Sequence, residues 1–144
     1  RGIKVFLGEY QHSVDEKGRM IIPSKFRDAL TRGAYVVKGD GCLSLYTFEE
    51  FEKVADMVQE KSKESQQARV AARSFFAGAS EVSLDKQGRI QLPQNLREYA
   101  KLEKEITVVG VFKRIEVWNE NEWQKENQKG EETLNDSGIS GFGI

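Results

Sequence analysis

The stretch Asp15-Glu16-Lys17-Gly18-Arg19-Met20-Ile21-Ile22-Pro23-Ser24-Lys25-Phe26-Arg27 returns 70 positions later as Asp85-Lys86-Gln87-Gly88-Arg89-Ile90-Gln91-Leu92-Pro93-Gln94-Asn95-Leu96-Arg97. Across residues 9–27 and 79–97, Ser13/Ser83, Asp15/Asp85, Gly18/Gly88, Arg19/Arg89, Pro23/Pro93 and Arg27/Arg97 are identical. Val14/Leu84, Met20/Ile90, Ile22/Leu92 and Phe26/Leu96 exchange one apolar residue for another. The likeness resumes after a two-residue insertion: Val36-Val37 matches Val108-Val109, Leu43–Tyr46 matches Ile115–Trp118, and Phe51 matches Trp123. A shared offset sustained over this length marks an internal repeat.

Each copy reads as strand, turn, strand and short helix. Tyr10, His12 and Val14, then Val82 and Leu84, alternate as half-buried strands do. Asp-x-x-Gly follows as a turn whose glycine suits a positive φ. Arg19–Ile22 and Arg89–Leu92 give the second strand, ended by Pro23 and Pro93, which fit the first turn of a helix. Phe26, Ala29 and Leu30, like Leu96, Tyr99 and Ala100, lie on one face of that helix. Strand pairs at Tyr35–Val37 with Leu43–Tyr46, and at Ile106–Val111 with Ile115–Trp118, complete the copies. Neither copy can cover its own apolar face, but two can cover each other. The expectation is an α+β fold, with two tandem β units forming an intramolecular pseudo-dimer through connecting helices.

The boundaries follow: residues 5–50 hold the first repeat, 51–78 the connecting helices, 79–123 the second repeat and 124–144 a tail. Phe51, Val54, Ala55 and Val58 recur at helical spacing, and Ser62–Gln67 is polar enough for a loop. A second helix over Ala68–Ala77 would turn Ala68, Ala72, Phe75 and Phe76 inward and set Arg69 and Arg73 on one face. Past Gln128 the chain turns rich in Gly and Ser, which predicts a mobile tail unless a neighbour holds it.

Composition narrows the function. The 144 residues are 38% hydrophobic and 31% charged, with a mean hydropathy of −0.59, and no stretch approaches the roughly 20 apolar residues of a membrane span. The apolar run within residues 1–8 is too short for a signal peptide, and the single cysteine, Cys42, forms no internal disulfide; both fit a reducing cytoplasm. The net charge is −1, which argues against a basic nucleic-acid binder. The charge is nevertheless segregated. Residues 1–33 hold seven Lys/Arg, Arg1 and Lys4 among them, against four acids, whereas residues 115–144 hold two lysines against seven acids.

No catalytic constellation emerges, so an enzyme is not expected. His12 and Cys42 make no metal-ligand cluster of usual spacing; both read as packing residues, as do Trp118 and Trp123. Gly39-Asp40-Gly41 is a turn signal rather than a phosphate loop. The repeated turns are more informative. Each places an arginine at a tight corner, where its planar fork suits a phosphate or a guanine edge. An Asp–Arg pair that only holds the hairpin explains the spacing equally well, and both readings hold if Asp orients Arg.

With these residues in view, Gly8–His12, Asp15–Arg27, Ala68-Arg69, Arg73–Gly78, Asp85–Ile90 and Ile115–Trp118 together resemble the MraZ family over about residues 5–125. That resemblance implies two AbrB-like swapped-hairpin β units per chain. It further implies ring homo-oligomers, octamers favoured, in the cytoplasm and nucleoid. The implied function is sequence-specific transcriptional regulation, acting on promoter DNA of a cell-division and cell-wall gene cluster that includes the chain's own gene. The family's DNA contacts, attributed to its Asp-x-x-x-Arg motif, map onto Asp15 and Arg19 and, in the second copy, onto Asp85 and Arg89. Beside them, Lys17, Gly18 and Lys86 of the same turns are read as further DNA-contact candidates. The first copy, with Lys17 beside Arg19 in the basic third of the chain, is favoured to touch double-stranded DNA. Neither cofactor, metal, small-molecule substrate nor membrane is implied. The rival expectation is a protein-interaction module, an antitoxin-like subunit or oligomeric scaffold on the same fold.

Overall fold

Strands pair across the repeats more than within them. The computed structural model describes residues 5–144; Arg1 and Lys4, counted above, lie outside the described residues. The first repeat runs β1 (Phe6–Ser13), β2 (Arg19–Ile21), α1 (Ser24–Arg27) with a 3-10 turn at Asp28–Leu30, β3 (Ala34–Lys38) and β4 (Leu43–Tyr46). Helices α2 (Phe48–Lys61) and α3 (Gln66–Ala77) connect it to the second repeat. That repeat runs β5 (Ser80–Val82), β6 (Arg89–Gln91), α4 (Gln94–Tyr99), β7 (Glu105–Phe112) and β8 (Arg114–Asn119), followed by α5 (Glu120–Ser137) and a 3-10 turn at Gly138–Phe142.

Six strands form one sheet in the order β1-β7-β8-β4-β3-β5, and β2-β6 forms a separate ribbon. Replacing every strand by its counterpart in the other repeat reverses that order and reproduces it, so a pseudo-twofold axis passes between β4 and β8. The exchange of strands is the swapped-hairpin arrangement that the resemblance implies. Between β1 and β2 only the bridge Val14↔Met20 remains; β1 instead pairs antiparallel with β7, from Phe6↔Phe112 to Ser13↔Glu105. Likewise β5 pairs with β3. The turn carries the chain off the sheet edge and over the core, so β2 finds its partner in β6. The pairs β3–β4 and β7–β8 stand as expected.

Both repeats feed one core. Met20, Ile22, Leu30, Leu43 and Leu45 from the first, with Ile90, Leu92, Leu96, Ile106 and Ile115 from the second, are at most 2% exposed. Phe26 packs edge-on against Phe6 and Tyr10, with ring centroids 5.2 and 5.3 Å apart. Each buried side chain of this size contributes about 1.5–3 kcal/mol of transfer free energy, and the cluster is complete only when both repeats supply their share. A smaller cluster holds Cys42, Val109 and Trp118, with Trp123 against it. Burial there pushes the Cys42 thiol up to about 12.

Thr47 and Ser65 cap α2 and α3 by accepting from the Glu50 and Ala68 amides. On α3, Ala72 is buried as expected, but Phe76 is 39% exposed. Adjacent residues point about 100° apart on a helix, so Phe75 and Phe76 cannot share a narrow inward face. The expected tail is helical over much of its length. Asn119 accepts from the Glu122 amide, and Glu120 and Glu122 place acidic charge in the first turn, which favours a helix start. Among the described residues, no helix is long and apolar enough to cross a membrane.

Candidate nucleic-acid interface

The two turns have the same internal wiring. Asp15 Oδ1 accepts from the Lys17 and Arg19 amides, each at 2.9 Å, and Oδ2 accepts from Arg19 Nε at 2.8 Å. Asp85 repeats this with the Gln87 and Arg89 amides at 2.9 Å and Arg89 Nε at 2.8 Å. Gly18 (φ 80°) and Gly88 (φ 79°) hold the left-handed corner. The backbone hydrogen bonds from Arg19 and Arg89, foremost, hold both carboxyls below their ordinary 3.8. The aspartates are therefore charged turn organisers. They grip each guanidinium by Nε, and among the described residues the Nη groups of Arg19 and Arg89 make no hydrogen bond. The Nη edge is the edge that pairs with a guanine or a phosphate. The pair reading and the contact reading are thus compatible in one geometry.

Register decides where the arginines point. In the ribbon Arg19 stands opposite Gln91, Met20 opposite Ile90 and Ile21 opposite Arg89. Met20 and Ile90 are buried beneath it. By alternation, Arg19, Ile21, Arg89 and Gln91 share the outward face. Arg19 and Arg89 are diagonal neighbours on that face, about 7–8 Å apart at the backbone.

The swap joins the arginines of both copies on one surface, so the ribbon presents the first copy's Arg19 and the second copy's Arg89 together. Charge agrees: residues 15–19 hold two acids and two cations, whereas residues 85–89 hold one acid and two cations. Lys17 and Lys86 are exposed at the turn tips. Arg69 and Arg73 are exposed on α3, which packs on α2 and β3 rather than on the ribbon. His12 is half-buried, and burial followed by the charge of Arg27 lowers its pKa.

Sequence reasoning missed the residues that brace the turns. The Ile22 amide donates to Gly88 O and the Leu92 amide to Gly18 O, both at 2.9 Å. Arg27 Nε donates to Ile22 O at 2.8 Å and Arg97 Nε to Leu92 O at 3.0 Å. Their guanidiniums lie against the opposite turn: a Cβ on Gly18 would come within 2.8 Å of Arg97 Cζ, and one on Gly88 within 2.7 Å of Arg27 Cζ. The signal was present, since Arg27 and Arg97 are identical in the repeat without a turn or core role. Gln91 Nε2 also donates to Lys17 O. Its counterpart is Ile21, so this brace breaks the pseudo-symmetry and left no repeat signal. Among the described residues no group of three or more His, Cys, Asp or Glu could hold a metal ion.

A family model described as "MraZ protein, putative antitoxin-like" matches the chain twice, over residues 5–74 and 75–137. The protein named "Transcriptional regulator MraZ" of Acetivibrio thermocellus is 47% identical over 137 residues, which cover 94% of this chain and 94% of that relative.

Proposed function

This chain belongs to the MraZ family, and from that premise we propose that it is a DNA-binding transcriptional regulator that reads duplex DNA with the β2–β6 ribbon. The observation that carries the reading is the pair of outward arginines, each held through Nε by its own aspartate and together on a two-stranded antiparallel ribbon. A ribbon of this kind fits the major groove, and an arginine fork matches guanine O6 and N7. Arg19 and Arg89 are the base-edge residues in this reading. Lys17 and Lys86 serve neighbouring phosphates, while Asp15, Asp85 and Gly18 set the arginines' aim. No step of this function requires catalysis or a cofactor.

Several chains act together in this proposal. A ring of about eight places one ribbon per chain on successive short DNA repeats, so weak single contacts gain from high effective concentration. Each added chain also adds its turn cations, so binding rests on this local surface rather than on the net charge of −1 per chain. The proposed targets are promoters of a cell-division and cell-wall cluster, including the chain's own, and the site of action is the nucleoid in the cytoplasm.

Fluorescence anisotropy with labelled DNA from upstream of its own gene, taken across a salt series, tests this. The expected result is a steep fall in affinity with salt, from counterion release, and much weaker binding to a scrambled duplex. Equal binding to the scrambled duplex overturns sequence-specific reading. No binding by an intact oligomer favours a protein-interaction module.

A further inference from the structure

Helix α2 buries none of its residues fully, and α3 buries only Ala72. Between them, closed on one side by Tyr99, opens a groove of about 590 Å3 walled by Met57, Val58, Ala71 and Phe75; the charged residues lining it are Lys38 and Lys61. Met57 is 60% exposed. Lys38 is fixed there by its hydrogen bond to Ser74 Oγ at 3.0 Å.

The opposite kind of surface lies at the far end of the chain. Every residue from Gln128 onward is exposed, and Leu134, Ile139, Phe142 and Ile144 range from 50% to 84% exposure. The same segment carries Glu131, Glu132 and Asp136 against one lysine, Lys129. At about 1.5 Å per residue, α5 is roughly 27 Å long, enough to extend beyond the sheet that anchors its first turns. Its exposure means that this segment does not fill its own chain's groove.

We propose that residues 128–144 of one copy dock in the α2–α3 groove of a neighbouring copy, with the acidic edge of α5 against Lys38 and Lys61. The apolar residues match an apolar groove, the charges are opposite, and one chain supplies tail and groove in equal number. Such a contact is heterologous, tail of one copy to groove of the next, and closes a ring when its rotation permits. It rests on the ring reading given above and names the surface that would build the ring.

Two measurements test it. Ile139→Cys chains are co-expressed with Met57→Cys chains and oxidised; Cys42 is buried and stays silent. A disulfide-linked dimer between the two chains is expected. A chain carrying both cysteines that links only to itself overturns docking on a second copy. Light scattering on the full-length Leu134→Asp/Phe142→Asp protein should show the assembly mass falling to that of one chain, with the melting temperature unchanged. Ring mass retained by that variant overturns the docking while leaving the ring reading standing. A single-chain mass for the unsubstituted protein overturns both.

Discussion

At the scale of single residues, the aspartates of the two turns act alike, since two amides and one guanidinium Nε converge on each carboxylate. The folded pKa of each lies below the unfolded one, so the turn's contribution is fully present above about pH 3.8 and is lost as pH falls through the lower folded value. Carboxyl-detected NMR should give titration midpoints for Asp15 and Asp85 below 3.8. Asp15→Asn should free Arg19 and weaken DNA binding more than it lowers the melting temperature. Cys42 offers an independent check on the core: with its thiol pushed to about 12, it should be inert to disulfide reagents at about pH 8 until the chain unfolds. The turn residues were legible in the sequence because a left-handed glycine set between a paired Asp and Arg leaves a recurring signature. Gln91 was not legible, because its role depends on a backbone carbonyl 74 positions away.

At the scale of elements, the ribbon is braced by the opposite repeat, in the sense that Arg97 supports Gly18 and Arg27 supports Gly88. Gly18→Ala puts a side chain in a left-handed conformation, at about 1–2 kcal/mol, and drives its methyl into Arg97. The melting temperature should drop by several degrees. Arg97→Ala alone should also lower it, through loss of the bond to Leu92 O. The double variant should be more stable than the sum of the two losses, since the clash is gone; a chemical denaturation cycle reads this coupling. Periodicity located β3, β4, β7 and β8 because each alternates against one core. It could not choose β7 over β2 as the partner of β1, since alternation fixes which face is buried and not which strand lies alongside. The helical start of the tail escaped because the Gly- and Ser-rich stretch after residue 137 coloured the reading of the whole segment, while the Asn119 cap and acidic first turn were the overlooked signals.

At the scale of the molecule, two repeats share one core and one two-stranded ribbon, so they should unfold together. Tryptophan fluorescence, which reports only the second repeat's Trp118 and Trp123, should melt coincidently with far-UV circular dichroism. Ile90→Ala at the centre of the shared core should cost about 2–5 kcal/mol and unfold both halves at once. The union of Arg19 and Arg89 into one DNA-reading surface is the proposal on which the function turns. It is tested most directly by operator anisotropy on Arg19→Ala and Arg89→Ala at fixed salt, with assembly mass followed by light scattering. Each substitution should weaken binding about 5- to 150-fold, the range of 1–3 kcal/mol per base contact, with mass and melting temperature retained. Unchanged affinity in both variants, or a loss in either that tracks only a collapse of folding or assembly, would contradict it.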